Sequence, residues 1–163
     1  MINLREYRDS DIPLFVEYLS NPRVTRYLTS SIPESYSEAD ARWWVNEGSK
    51  DSIVKAIEYD GVFVGTIGVK PGSFERAHCG EIGYWLGEAH WGKGIATQAI
   101  SAMTDTMFQT TKMVRLFAPV FAPNEASKRV LVKSGYHEEA VQEKACFKHG
   151  VFYNSHIYVK IKR

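Results

Sequence analysis

The stretch Gly83-Tyr84-Trp85-Leu86-Gly87-Glu88-Ala89-His90-Trp91-Gly92-Lys93-Gly94-Ile95-Ala96-Thr97 constrains this chain more than any other. Gly80 to Leu86 reads as a strand, a glycine-containing loop follows, and Gly94 to Gln109 carries Ile95, Ala99, Met103 and Met107 on one side, the pattern of a helix packed on a sheet. A strand that turns through glycines into a helix brings several backbone N–H groups to the positive end of the helix dipole, where a phosphate is held well. Gly92 and Gly94 let the main chain approach a pyrophosphate closely, and Ala96 keeps the first helical turn uncluttered.

Two phosphate chemistries compete for this segment. Gly87 to Lys93 satisfies the G-x-x-x-x-G-K pattern of a nucleotide-binding P-loop, but Gly94 stands where a serine or threonine would bind magnesium. The motif also follows several strands, whereas a P-loop usually follows the first. Both features count against a nucleotide hydrolase.

The rest of the chain shows what surrounds the segment. Leu4 to Tyr7 reads as a short strand; Asp9 or Ser10 caps a helix with Ile12, Phe15, Val16 and Leu19 at helical spacing; Asn21-Pro22 ends it. Val24 to Leu28 suggests a second short helix, and Ser37 with Asp40 forms a capping box opening a third through Trp43, Trp44 and Val45. The pattern then turns to β: Ile53 to Tyr59 and Val62 to Val69 flank Asp60-Gly61, a tight hairpin turn, and a loop from Lys70 to Ala77 leads to Gly80. After the central helix come a strand from Met113 to Val120, a helix from Glu125 to Lys133 capped by Asn124, and strands Val141 to Phe147 and Val151 to Ile161 around His149-Gly150. This order predicts an α+β fold with a central mixed sheet.

At 163 residues the chain has the length of one domain, 1–163, with hydrophobic residues at 44% and charged residues at 24%, ordinary globular usage. No apolar run approaches the roughly 20 residues of a membrane span, and the N-terminus runs into charged sequence without an export segment, so the expectation is a cytoplasmic protein without a membrane partner. Cys79 and Cys146 are far apart and lack partners at metal-ligand spacing, so neither a disulfide framework nor a metal is expected. A net charge of +1 provides no footprint for nucleic acid.

The segment from Trp91 to Thr97 resembles motif A of the GNAT acetyltransferases, Q/R-x-x-G-x-G/A, with Gly94 and Ala96 in its small positions. Trp91 replaces the first Gln or Arg, in the W-G-x-G-x-A/M-T form of the branch that includes ribosomal-protein-alanine N-acetyltransferases. Asn124, Ser127, Val130, Leu131, Lys133, Gly135 and Tyr136 match that branch's N-x-x-S-x-x-v-l-x-K-x-G-F/Y motif. The N-terminal stretch Leu4 to Leu28 and the Lys148-His149-Gly150 hairpin are similar too, so the resemblance covers essentially the whole chain.

The resemblance implies a mostly antiparallel sheet of about seven strands with helices on both faces, and acetyl-coenzyme A as co-substrate without a metal. It implies that the strand ending in Tyr84, Trp85 and Leu86 splays from the next one so that the pantetheine arm pairs with its freed backbone. Trp91, Gly92, Lys93, Gly94, Ile95, Ala96 and Thr97 form the phosphate turn, and Asn124 contacts the pantetheine. Many relatives place a tyrosine acid seven residues after that asparagine; here the position is Leu131. Ser127 is the replacement donor to sulfur, and Glu81 is the candidate base that deprotonates the amine. Structural alternatives stand beside both: Glu81 as an ion-pair partner of a basic neighbour, and Ser127 and Asn124 as helix caps. The four tryptophans are expected mainly to pack, and His90 and His149 to serve loops.

The implied acceptor is a protein N-terminal α-amine or a small-molecule amine, with a monomer or homodimer as the assembly. Its specificity should come from Val24 to Trp44 and the last hairpin. A coenzyme A-binding regulatory module without catalysis is the alternative, favoured by the missing tyrosine.

Overall fold

The computed structural model describes residues 1–163. Seven strands form one sheet in the order β1-β2-β3-β4-β5-β7-β6. They are β1 (Ile2–Arg5), β2 (Ile53–Tyr59), β3 (Val62–Pro71), β4 (Cys79–Leu86), β5 (Arg115–Phe121), β6 (His137–Lys148) and β7 (Val151–Ile161). All neighbours run antiparallel except β4 and β5, which are parallel. The helices are α1 (Ile12–Leu19), α2 (Pro22–Thr25), α3 (Glu38–Trp43), α4 (Ile95–Thr110) and α5 (Glu125–Lys133).

Consecutive residues of a strand point to opposite faces, and the sheet buries both. Ala56 packs with Phe15, Ala41 and Phe63 beneath α1 and α3, while its neighbour Ile57 packs with Ile67, Ile82, Ile100 and Met103 beneath α4. Helices therefore cover both faces, as the resemblance implies. Leu131 of α5 is 1% exposed and joins the α4 cluster. The Thr104 and Tyr136 hydroxyls meet at 2.7 Å within it.

Several boundaries differ from the sequence reading. The first strand is Ile2–Arg5, not Leu4 to Tyr7, because pairing with β2 starts at Ile2 opposite Tyr59. Arg5 then turns its guanidinium onto both Asp11 carboxylate oxygens at 2.8 Å, so Asp11 ties the entry of α1 to the strand. A single 3₁₀ turn, Asp9–Asp11, precedes α1 in place of a simple cap. The second helix is Pro22–Thr25, capped by the Asn21 side chain, and has ended before Leu28. The capping box of Ser37 and Asp40 is present, but α3 passes into a π turn at Trp44–Gly48. The fifth strand runs Arg115–Phe121, and β6 starts at His137, four residues before Val141, because β7 is long enough to pair with the additional residues.

Candidate active site

β4 and β5 pair over only Cys79 to Glu81 opposite Arg115 to Phe117. Beyond Glu81 the strands part. Tyr84, Trp85 and Leu86 remain paired to Ile67, Thr66 and Gly65 of β3, so their edge toward β5 is unpaired. A sheet edge left open in the interior of a fold offers hydrogen bonds to an extended ligand.

The glycine turn expected to hold phosphate lies at the end of that edge. After a 3₁₀ turn at Glu88–His90 the chain reaches Gly92 and Gly94 with φ of +74° and +75°, the left-handed conformation glycine adopts without strain. A Cβ on either would meet nothing within 4 Å, so the main chain there faces open space. Gln98 N–H is bonded to the Gly94 carbonyl, whereas Ile95, Ala96 and Thr97 occupy the first turn, whose amides lack partners inside the helix. Ile95 and Ala96 are buried, Thr97 is half-buried, and Lys93 is exposed. The Trp91 indole donates to the Leu86 carbonyl at 3.0 Å and pins the loop to the strand, yet the ring is 45% exposed. The expectation of packing holds for Trp44 and Trp85, which join the α1 and α3 cluster, and is corrected for Trp91 and for the exposed Trp43. Trp91 lies in the turn that follows β4, and Trp43 ends α3 with its ring laid against Gly48.

His90 packs edge-on against Tyr18, with Nε2 3.3 Å from the Tyr18 hydroxyl and Nδ1 buried without a partner. Burial, then the Lys93 charge, lowers its pKa and favours the neutral ring. Glu88 accepts from Asn21 at 2.8 Å and from Arg23 at 3.0 Å, coupling the α1–α2 junction to the glycine turn.

On the other wall, Asn124 caps α5 by accepting from Ser127 N–H at 3.3 Å. The Ser127 hydroxyl faces that of Tyr84, whose pKa burial raises. Leu131, at the usual tyrosine position, is 1% exposed and borders the cleft with an aliphatic side chain that has no proton to donate. Glu81 is exposed at the last paired position of β4 and takes part in no ion pair; the nearest cross-strand cation, Lys70, is instead paired with Asp51 at 4.0 Å.

These residues line one cleft of about 1360 Å³, which includes Glu81, Tyr84, Gly92, Asn124 and Ser127. The sequence reading placed acceptor specificity in Val24 to Trp44, which holds Tyr36 and Trp44 of the cleft's far side, but it missed Tyr7 and Thr66 there. All four line the cleft; the Trp44 indole donates to the Tyr7 hydroxyl at 3.3 Å, and burial pushes the Tyr7 phenol up to about 12. No motif marks these positions, because β1, β3 and the α3 region bring them together only in three dimensions. Lys148 was also missed as an individual residue: it is 8% exposed and donates to the carbonyls of Thr25 at 2.8 Å and Leu28 at 2.5 Å. Burial lowers its pKa.

An open strand edge, a left-handed glycine turn and a helix N-terminus meet in one cleft, an arrangement suited to an extended ligand that carries a phosphate. Residues 2–137 match the family model described as an acetyltransferase (GNAT) domain, and the chain belongs to that family and is an N-acetyltransferase. It is 30% identical to an uncharacterized N-acetyltransferase, YoaA, of Bacillus subtilis, over 98% of this chain and 92% of that one. A GNAT-family acetyltransferase structure from Bacillus anthracis superposes with a TM-score of 0.84 at 26% identity, covering 98% and 94% of the two chains. The RimL ribosomal L7/L12 alpha-N-protein acetyltransferase, solved with coenzyme A, shares the fold at a TM-score of 0.86 and 18% identity, covering 99% and 94%. Membership sets the magnesium-dependent P-loop reading aside.

Proposed function

We propose that this enzyme transfers acetyl from acetyl-coenzyme A to a primary amine by direct attack within a ternary complex. The observation that carries the reading is the parting of β4 from β5 immediately beyond Glu81, with the Gly92–Gly94 turn at the end of the freed edge. The open space over both glycines fits a diphosphate, and the unpaired edge of Tyr84 to Leu86 fits an amide-bearing arm. Amides from Gly92 to Thr97 bind the diphosphate with Lys93 adding charge, and Asn124 contacts the pantetheine. A main-chain N–H at Tyr84 or Trp85 polarises the thioester carbonyl.

Glu81 takes the proton of the attacking ammonium, directly or through one water. As the C–N bond forms and the C–S bond breaks, Ser127 donates a hydrogen bond to the leaving sulfur, and the second proton lost by the nitrogen passes to the departing thiolate or to solvent. A thiolate of ordinary pKa about 8.5 leaves readily at neutral pH, so a hydrogen-bond donor suffices and the loss of the usual tyrosine at Leu131 does not prevent catalysis. The acceptor is a protein N-terminal α-amine or a small-molecule amine. An α-amine with a pKa of about 7.7 to 8.0 is far easier for Glu81 to deprotonate than a lysine near 10.4.

Calorimetric titration with coenzyme A and acetyl-coenzyme A, followed by thiol-release assays against α-amino peptides, polyamines and arylalkylamines, tests this. Binding of both nucleotides and turnover with at least one amine are expected. No binding, or binding with no turnover by any amine, overturns the reading.

A further inference from the structure

Gly83 is a glycine that the fold itself does not require. A Cβ on Gly65 would lie 2.1 Å from the Trp85 carbonyl oxygen, and one on Gly80 would lie 2.5 Å from Val69 Cγ1, so those two glycines are enforced by packing. At Gly83 a Cβ would meet nothing within 4 Å, and the backbone is not left-handed. A glycine inside a strand weakens it by about 0.5–1 kcal/mol relative to alanine, and one that neither packing nor a bulge demands is consistent with close approach of a ligand.

The register places this opening. Gly83 pairs with Gly68 of β3; the pairs on either side on the same face are Lys70 with Glu81 and Thr66 with Trp85. Two facing glycines thus open a trough across adjacent strands. Val54 of β2, paired with Gly68, closes its far side, its Cγ1 lying 3.0 Å from where a Gly68 Cβ would be. Trp85 belongs to the α1 and α3 cluster, whereas Tyr84 packs on the α4 cluster, so the trough opens on the face opposite α4. That face of the cleft also carries Tyr7, Tyr36 and Trp44. The phosphate turn lies at the start of α4 and the pantetheine edge lies in the plane of the sheet, so neither needs this space.

We propose that the amine-bearing arm of the acceptor lies in the Gly68–Gly83 trough, with its nitrogen over Gly83 between Glu81 and Trp85. The assignment rests on the acetyl-transfer reading and deepens it. Two residues along a strand span about 7 Å, a distance that the Glu81 side chain or one bridging water covers. A floor of bare main chain accepts a slender arm: an α-amine on a small residue or an unbranched aminomethyl group.

The test compares coenzyme A with a conjugate in which its sulfur is joined through CH2–CO to the nitrogen of alanine amide, titrated into the wild-type chain and Gly83→Val. The wild type should bind the conjugate at least tenfold more tightly than coenzyme A. Gly83→Val should keep its coenzyme A affinity within twofold and lose that gain. Circular dichroism checks folding, and Gly83→Ala, which meets no neighbour, serves if the valine variant unfolds. A gain that survives the substitution, or that is absent in the wild type, overturns the proposal. So does an equal weakening of coenzyme A itself, which would give the space to the coenzyme. Failure of the wild type to bind coenzyme A at all removes the acetyl-transfer reading, and the trough with it.

Discussion

The Lys148 ammonium, at the last residue of β6, donates to the main-chain carbonyl of Thr25 at 2.8 Å across 123 residues of chain. A second bond to Leu28 makes it a two-point anchor between the last hairpin and the segment after α2. Tyr27, between those two carbonyls, packs on Phe121 at 5.8 Å and lines the cleft beside it. Lys148→Met retains the apolar stem but orphans both carbonyls, and a hydrogen bond to a charged group contributes about 1.5–3 kcal/mol. Denaturant unfolding should show a loss of about 2 kcal/mol. The acceptor KM should rise while coenzyme A affinity holds; an unchanged KM would confine the anchor to stability.

Glu81→Gln and Ser127→Ala should each reduce kcat about 10²-fold if these groups act in proton transfer and sulfur stabilisation. Coenzyme A affinity, measured by calorimetry, should stay within twofold for both, since neither belongs to the phosphate turn. Unchanged turnover in either variant would return that residue to a structural role.

Gly94 adopts φ of +75° with open space where a side chain would project. Gly94→Ala adds about 1 kcal/mol of backbone strain and places a methyl where the diphosphate is proposed to sit. Acetyl-coenzyme A affinity should fall at least tenfold while the folded state persists. Thermal melts with and without coenzyme A check both, the ligand-induced rise in Tm being the quantity expected to vanish.

Tyr136 supplies a pH dependence that can be assigned to one group. Burial pushes its phenol up to about 12, against the pull of the Thr104 hydroxyl. The folded state then holds a proton that the unfolded chain releases near pH 10, so this contribution is full below pH 10 and is lost as pH rises toward 12. Tyr136→Phe leaves the buried Thr104 hydroxyl unpaired and should lower neutral-pH stability by about 1–2 kcal/mol. The wild type's advantage over the variant should shrink between pH 10 and 12 in urea titrations; a constant difference would refute the assignment.

Much of the fold was legible because it is written locally. Asp60-Gly61 marked the β2–β3 hairpin, Ser37 and Asp40 marked α3, and Asn124 marked α5, each through contacts within a few residues. The glycine turn was legible for the same reason: Gly92 and Gly94 carry their left-handed conformation in their own residue type. Boundaries drifted where pairing between distant strands decided them, as at Ile2 opposite Tyr59 and His137 opposite Val159.

The sequence by itself determined the strand, glycine turn and helix and the α+β order of elements, because short-range geometry suffices for these; Glu81 and Ser127 became candidates through the family resemblance. Only the tertiary structure decided that Gly68 faces Gly83, that Lys148 reaches Thr25, that Leu131 is buried and that Glu81 stands free of any cation. Strand register and the stacking of layers set those relationships, and they depend on the burial of both sheet faces together rather than on any local stretch.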